Sequence, residues 1–202
     1  IAILDSGFYP HPDLIDPQNR IISFHDVTNP NAKLDAVSQS QSWDWHGTQT
    51  SVTAAGNGFL SDGIYRGLAY EAGLVLVKVS NRGRITDETI VRGLEWVLAN
   101  KDRYYIRVVS MSLGGDAEAS FRESLVDEIA ERAVREGLTL VVAAGNSGCT
   151  ADHRPIPPAN SPSVITVGGY NDNNLLRAHE VDPYCSSFGP TVDGIIKPEI
   201  VA

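Results

Sequence analysis

Residues 120–148 read SFRESLVDEIAERAVREGLTLVVAAGNSG, which places a helix, a buried strand and a glycine-flanked loop in immediate succession. Ser120-Phe121-Arg122-Glu123 has the form of a capping box, in which a serine hydroxyl and a glutamate three residues on each bond the other's free backbone N–H. Leu125, Val126, Ile129, Ala133 and Val134 follow at helical spacing, and Gly137 stands where such a helix stops. The run 138–143 is apolar on both faces, as a strand inside a parallel sheet must be. It runs directly into Ala144-Gly145-Asn146-Ser147-Gly148, so a polar side chain is presented at the strand's carboxyl end.

The same alternation recurs along the chain. Residues 1–4, 74–79, 106–111 and 164–167 read as further buried strands, rich in Val, Ile and Leu. Over 87–100, Ile90, Leu94 and Val97 share one helical face with Val91 and Leu98 beside them, and Thr86 occupies the N-cap position. Strand-helix-strand order implies right-handed crossovers and an α/β fold: a doubly wound, mostly parallel sheet with helices on both faces, three layers αβα. Ligands of such sheets bind at the carboxyl ends of the strands, and Asp5 and Asn146 both follow strand ends. The polar stretch 26–44, with Asn29-Pro30-Asn31 and a Ser/Gln run over 38–42, reads as a surface loop. With no internal repeat and no linker, 1–202 is expected to form a single domain.

Composition narrows the function. The 202 residues are 42% hydrophobic, enough for a full core. Sixteen basic against 25 acidic residues give a net charge of -9, which argues against nucleic-acid or anionic-membrane partners. No apolar run reaches the ~20 residues of a membrane span. Cys149 and Cys185 are the only cysteines, which excludes a zinc set of CxxC type. They are expected as free, partly buried thiols, a single bridge being the alternative.

Three short motifs carry chemistry: Ile1-Ala2-Ile3-Leu4-Asp5-Ser6-Gly7, Trp45-His46-Gly47-Thr48, and the loop around Asn146. Asp5 ends a buried strand, where its carboxylate can accept from a histidine ring in a poorly solvated crevice. His46 opens a run of small residues suited to a closely packed helix, whose dipole disfavours the imidazolium; a buried carboxylate partner offsets that penalty. Asn146 can direct its amide at a developing oxyanion. Singly, each motif more commonly marks a turn, a cap or a loop.

Their order and company decide between these readings. With His11-Pro12-Asp13-Leu14, Ser110-Met111-Ser112-Leu113-Gly114-Gly115, Pro158-Ala159, Val164-Ile165-Thr166-Val167-Gly168, Ser186-Ser187-Phe188-Gly189-Pro190 and the stretch 197–202, the chain resembles the subtilisin-like serine proteases over its whole length. In appearance it is nearest to their intracellular-type bacterial branch. The resemblance implies a serine endopeptidase acting on polypeptides through an acyl-enzyme, with Asp5 as orienting acid, His46 as general base and Asn146 as oxyanion donor. It further implies that Ser112, Leu113 and Gly114 form one edge of the cleft for the substrate's P1 residue, that Ala143, Ala144 and Gly145 form the opposite wall, and that Gly83 offers a second edge to an extended substrate. Small residues along these walls leave room for a bulky apolar P1 side chain.

The match departs in one major respect: the family's Gly-Thr-Ser-x-Ala segment, which carries the nucleophile, is absent from residues 1–202. Ser6, Ser112, Ser147 and Ser187 lie near the expected cleft but outside that motif. The chain is therefore expected to be an incomplete catalytic domain, inactive by itself. Gln49 also stands where the family commonly has a second histidine, and Trp43 and Trp45 crowd the approach to His46. The chemistry requires no cofactor. The resemblance points to structural calcium, for which 57–67, with Asn57, Ser61 and Asp62, is the candidate segment, although it does not reproduce the family's strongest calcium loop. A propeptide or inhibitor is a further implied partner. The alternative function is a pseudoprotease that binds extended peptides without cutting them; a third reading, a flavodoxin-like nucleotide-binding domain, needs a phosphate loop after the first strand, and Asp5-Ser6-Gly7-Phe8-Tyr9-Pro10 makes a poor one.

Overall fold

A computed structural model describes residues 1–34, 40–171 and 182–202, with the side chains of Asp182 and Pro183 excepted. The chain falls into two compact units, Ile1–Ser112 and Leu113–Ala202.

The first unit runs β1 (Ala2–Asp5), α1 (Pro12–Ile15), β2 (Ile21–Asp26), α2 (Trp45–Ala55), a 3-10 turn (Phe59–Ser61), β3 (Leu74–Lys78), β4 (Ser80–Asn81), β5 (Arg84–Ile85), α3 (Asp87–Asn100) and β6 (Val108–Met111). Its strands lie in the order β6-β1-β3-β2, and β1 pairs in parallel with both β3 and β6. Register sets Ile3 beside Leu76 and Leu4 beside Val77, so alternate residues feed opposite faces. Ile3, Leu74 and Leu76 pack with Phe8, Leu14 and Ala55 of α2 on one side. On the other side Gly93 of α3 sits against Val79, Leu4 and Val77, so close that an added Cβ would lie 2.5 Å from a Val79 methyl. Helices thus cover both faces of this unit's sheet, and the strand order reverses at β1, which puts Asp5 at a topological switch point.

The helix over 87–100 is capped as expected: Thr86 and Thr89 exchange a capping box. Strand β2 was not anticipated. Its half-exposed pattern, with Ser23 and His25 among the apolar residues, lacks the continuous apolar run of its neighbours. The hairpin β4–β5 turns through Arg82 at φ 48° and Gly83 at φ 87°, the two left-handed positions that the tightest hairpin turns demand.

Asp26, expected in a polar surface loop, is buried at the end of β2. Its Oδ2 accepts from Lys78 Nζ at 2.8 Å, and its Oδ1 accepts from the Thr28 amide at 2.8 Å and the Thr28 hydroxyl at 2.7 Å. Val27 and Leu34 are buried as well, so the described part of that loop is anchored rather than merely solvated; the segment 35–39 lies outside the described residues. Burial raises the Asp26 pKa, but the Lys78 and Thr28 bonds together outweigh it and hold the carboxyl below its ordinary 3.8. A carboxylate depressed by folding stabilises the native state above its unfolded pKa, and that contribution disappears as pH falls through the native value. Asp26→Asn leaves the Lys78 ammonium buried without its counter-charge. It is expected to lower the unfolding free energy at pH 7 by about 3 kcal/mol in urea titrations, with the gap to the parent protein closing below pH 3.8.

The second unit runs α4 (Leu125–Arg135), β7 (Thr139–Ala143), β8 (Ile165–Gly168), β9 (Tyr170–Asn171), β10 (Asp182–Pro183) and β11 (Ile200–Val201). β8 pairs in parallel with β7 and β11, and β9 with β10 antiparallel. The helix starts four residues later than the capping-box reading had it. The Ser120 hydroxyl donates to Asp193 Oδ1 at 2.7 Å and the Phe121 N–H to Asp193 Oδ2 at 2.9 Å. That carboxylate, distant in sequence, draws 120–121 out of the helix, and Ser124 caps it by accepting from the Asp127 N–H. Val126, Ile129 and Ala133 are buried as the spacing requires, whereas Leu125, now at the first turn, is 68% exposed. Gly137 follows the helix end at φ 90°. Among the described residues no helix is long and apolar enough to cross a membrane.

Candidate active site

In the first unit, the end of β1 and the first turn of α2 meet. Gly47 makes the approach feasible: a Cβ there would lie 2.2 Å from the Gly7 carbonyl oxygen and 2.9 Å from Asp5 Cβ. His46, one residue before, is thereby brought onto Asp5. Its Nδ1 lies 2.8 Å from Oδ1 and 3.0 Å from Oδ2 of a carboxylate that is only 1% exposed. Both oxygens are acceptors, so Nδ1 carries the ring proton and Nε2 is left as the basic nitrogen. The His46 side chain is 37% exposed, which leaves that nitrogen accessible.

The carboxylate is held from both sides. The Ser6 N–H donates to Oδ1 at 2.7 Å, and the Thr50 hydroxyl lies 3.2 Å from Oδ2 and 3.0 Å from the Gly47 carbonyl oxygen. Thr50 was missed in the sequence although its spacing reveals it: four residues after His46, it shares that residue's helical face. Ser6 spends its hydroxyl on the Trp43 carbonyl oxygen at 2.8 Å. Trp45 stands edge-on to the imidazole at 5.3 Å and is exposed. Trp43 instead lies against Gly7 and Gly83, whose added Cβ would meet Trp43 Cβ at 3.0 Å. Beneath Trp43, Asp44 is buried, and desolvation raises its pKa despite the Gln41 N–H it accepts.

Ser112 closes the first unit, and Leu113 and Gly114 open the second; all three are half-buried and follow β6 without regular structure. In the second unit Ala143 ends β7, and Ala144, Gly145 and Asn146 line one cavity of about 360 Å³ together with Ser147, Ser187 and Ile156. Ile156 is its bulkiest apolar side chain, and a Cβ on Gly114 would lie 2.7 Å from Ile156 Cδ1. Glu118, Asp152 and Arg154 complete the lining, with Arg154 bonded to Glu118 at 2.9 Å. The free thiols expected at Cys149 and Cys185 are a disulfide: the Gly148 N–H donates to the Cys185 carbonyl oxygen at 2.9 Å, and this pairing of segments 36 residues apart leaves no trace in local sequence.

Within 57–67 the side chains close turns. The Asn57 amide donates to the Asp16 carbonyl oxygen at 2.7 Å and accepts from the Phe59 N–H, and the Ser61 hydroxyl donates to the Gly58 carbonyl oxygen. Among the described residues no group of three or more His, Cys, Asp or Glu side chains converges as a metal site, and calcium enters no step below.

The whole chain, residues 1–202, matches the profile of the Subtilase family. It is 41% identical to Serine protease AprX of Bacillus subtilis (strain 168) in an alignment covering 100% of this chain and 45% of that protein. It is 35% identical to the Major intracellular serine protease of the same organism, covering 83% of this chain and 50% of that protein. The chain thus spans half or less of the length of these relatives. Among solved structures, Sphericase superposes with a TM-score of 0.72 at 24% identity, covering 100% of this chain and 65% of that one. The S41 Psychrophilic Protease superposes with a TM-score of 0.69 at 26% identity, covering 93% and 58%. With the family profile matched over residues 1–202 on a mostly parallel α/β scaffold, the chain belongs to the subtilase family.

Proposed function

We propose that this chain carries the base-bearing part of a serine endopeptidase that hydrolyses peptide bonds through an acyl-enzyme, with the nucleophilic serine outside residues 1–202. The observation that carries the reading is the pairing of His46 Nδ1 with both oxygens of the buried Asp5 carboxylate. Nε2 takes the proton of the attacking hydroxyl as its oxygen bonds to the scissile carbonyl carbon, and Asp5 stabilises the imidazolium that results. The Asn146 amide donates to the tetrahedral oxyanion. As the C–N bond breaks, Nε2–H returns its proton to the leaving amine. Water, deprotonated by the same nitrogen, then hydrolyses the acyl ester. The substrate backbone adds as a strand along Ser112-Leu113-Gly114 and the Gly83 hairpin. Neither step needs a cofactor, and the chain by itself hydrolyses nothing above background.

The cavity beside Asn146 receives the P1 side chain, with Ile156 limiting its depth. Ile156→Ala in the full-length protein is expected to raise kcat/KM for phenylalanine at P1 relative to alanine by about 10-fold or more, measured on paired peptide substrates; an unchanged ratio excludes Ile156 from the pocket. The function itself is tested by incubating the full-length protein with an unfolded polypeptide, with and without a phosphonyl serine reagent. Cleavage that the reagent abolishes is expected. Cleavage that the reagent leaves untouched, or binding without cleavage, rules the reading out.

A further inference from the structure

The loop that carries Asn146 is tied down on both sides of that residue by a single short segment. The Ser187 N–H donates to the Gly145 carbonyl oxygen at 2.9 Å, and the Ser147 N–H donates to Ser187 Oγ at 3.1 Å. One residue therefore grips the backbone immediately before and immediately after Asn146. Ser187 is 3% exposed, so these bonds are sheltered from competing water. Gly145 admits the hydroxyl: at φ 101° a Cβ there would lie 2.8 Å from Ser187 Oγ. Next along the loop, the Gly148 N–H donates to the Cys185 carbonyl oxygen at 2.9 Å. The Cys149–Cys185 disulfide then closes the pair of segments covalently. Asn146 itself is exposed at the tip of this clamp.

We propose that Ser187, backed by the Cys149–Cys185 disulfide, is a positioning residue that fixes the direction of the Asn146 amide for oxyanion stabilisation. The proposal rests on the reading of Asn146 as the oxyanion donor. An oxyanion donor is effective because it is already aimed when charge develops, and reorganising it during the reaction forfeits that advantage. The orientation of an exposed loop asparagine is set by its two flanking peptides, and Ser187 holds one group of each: the Gly145 carbonyl and the Ser147 N–H. Without the hydroxyl the Ser147 N–H loses its partner and that peptide is free to rotate. Misplacing a catalytic group by about 1 Å costs on the order of 10²-fold in rate. The disulfide limits the remaining travel of 145–149 and makes the clamp sensitive to reductant.

The test uses the full-length protein and reads kcat and KM separately on one peptide substrate. Ser187→Ala is expected to lower kcat by about 10-fold or more while KM changes less than about 3-fold, because the hydroxyl that is removed is engaged by the Ser147 N–H and the Cβ that lines the cavity stays in place. In an Asn146→Ala background the same substitution is expected to lower kcat less than about 2-fold, since there is no amide left to aim. Cys149→Ala with Cys185→Ala is expected to behave in the same way, and to remove the loss of kcat that dithiothreitol causes in the parent protein. These cysteine variants decide the matter if Ser187→Ala does not fold by circular dichroism. Equal losses in both backgrounds, or an unchanged kcat in both Ser187→Ala and the cysteine variant, overturn the clamp while leaving the oxyanion reading intact. An Asn146→Ala protein with undiminished kcat overturns the oxyanion reading and the clamp with it.

Discussion

His46→Ala in the full-length protein is expected to lower kcat for peptide hydrolysis on the order of 10⁶-fold, a magnitude known from subtilisin rather than calculated from this geometry. The argument from this chain concerns the proton. His46 Nδ1 is committed to Asp5, so Nε2 is the acceptor, and without it the serine hydroxyl attacks as a neutral, weak nucleophile. KM is expected to change little, since the ring serves the transition state and not the ground state. Alanine suits the first turn of α2, and Asp5 keeps the Ser6 N–H and the Thr50 hydroxyl as partners. The variant should therefore retain the parent's circular dichroism spectrum, which separates lost chemistry from lost structure.

The second large effect is at Asp5. Asp5→Asn preserves shape and the Ser6 N–H bond, yet it presents an NH₂ group or a single carbonyl oxygen to His46 where the carboxylate presents two acceptors. If the amide donates to Nδ1, the ring proton moves to Nε2, the nitrogen that must accept. In either orientation the counter-charge for the imidazolium is gone. The expected loss in kcat is about 10⁴-fold, measured by steady-state hydrolysis. A loss below about 10-fold would mean that Asp5 serves only to hold the end of β1 to α2.

Much of this was legible in the sequence because its determinants are local. The strands around 1–4, 74–79, 106–111, 138–143 and 164–167 are short runs dominated by Val, Ile and Leu, and the structure moves their ends by two residues at most. The places of Asp5 at a strand end, His46 in a first helical turn and Asn146 after a strand were legible because each adjoins an element with a readable pattern. Features created by distant partners were not. Asp193 displaces the cap from Ser120 to Ser124, the Lys78 ammonium buries Asp26, and Cys185 reaches Cys149 across 36 residues. The edge strand β2 escaped because one half-exposed strand of mixed polarity resembles a loop until its partner β3 is known. Ser187 shows the same limit within the site: its motif resembles a family block, but its grip on 145 and 147 exists only after folding.

The central claim is that His46 activates a serine lying outside residues 1–202. The most direct test is to label the full-length protein with a phosphonyl serine reagent and locate the adduct by peptide mapping. The account predicts one labelled serine beyond Ala202, with labelling lost in His46→Ala. An adduct on Ser6, Ser112, Ser147 or Ser187, or labelling that persists undiminished in His46→Ala, would contradict it.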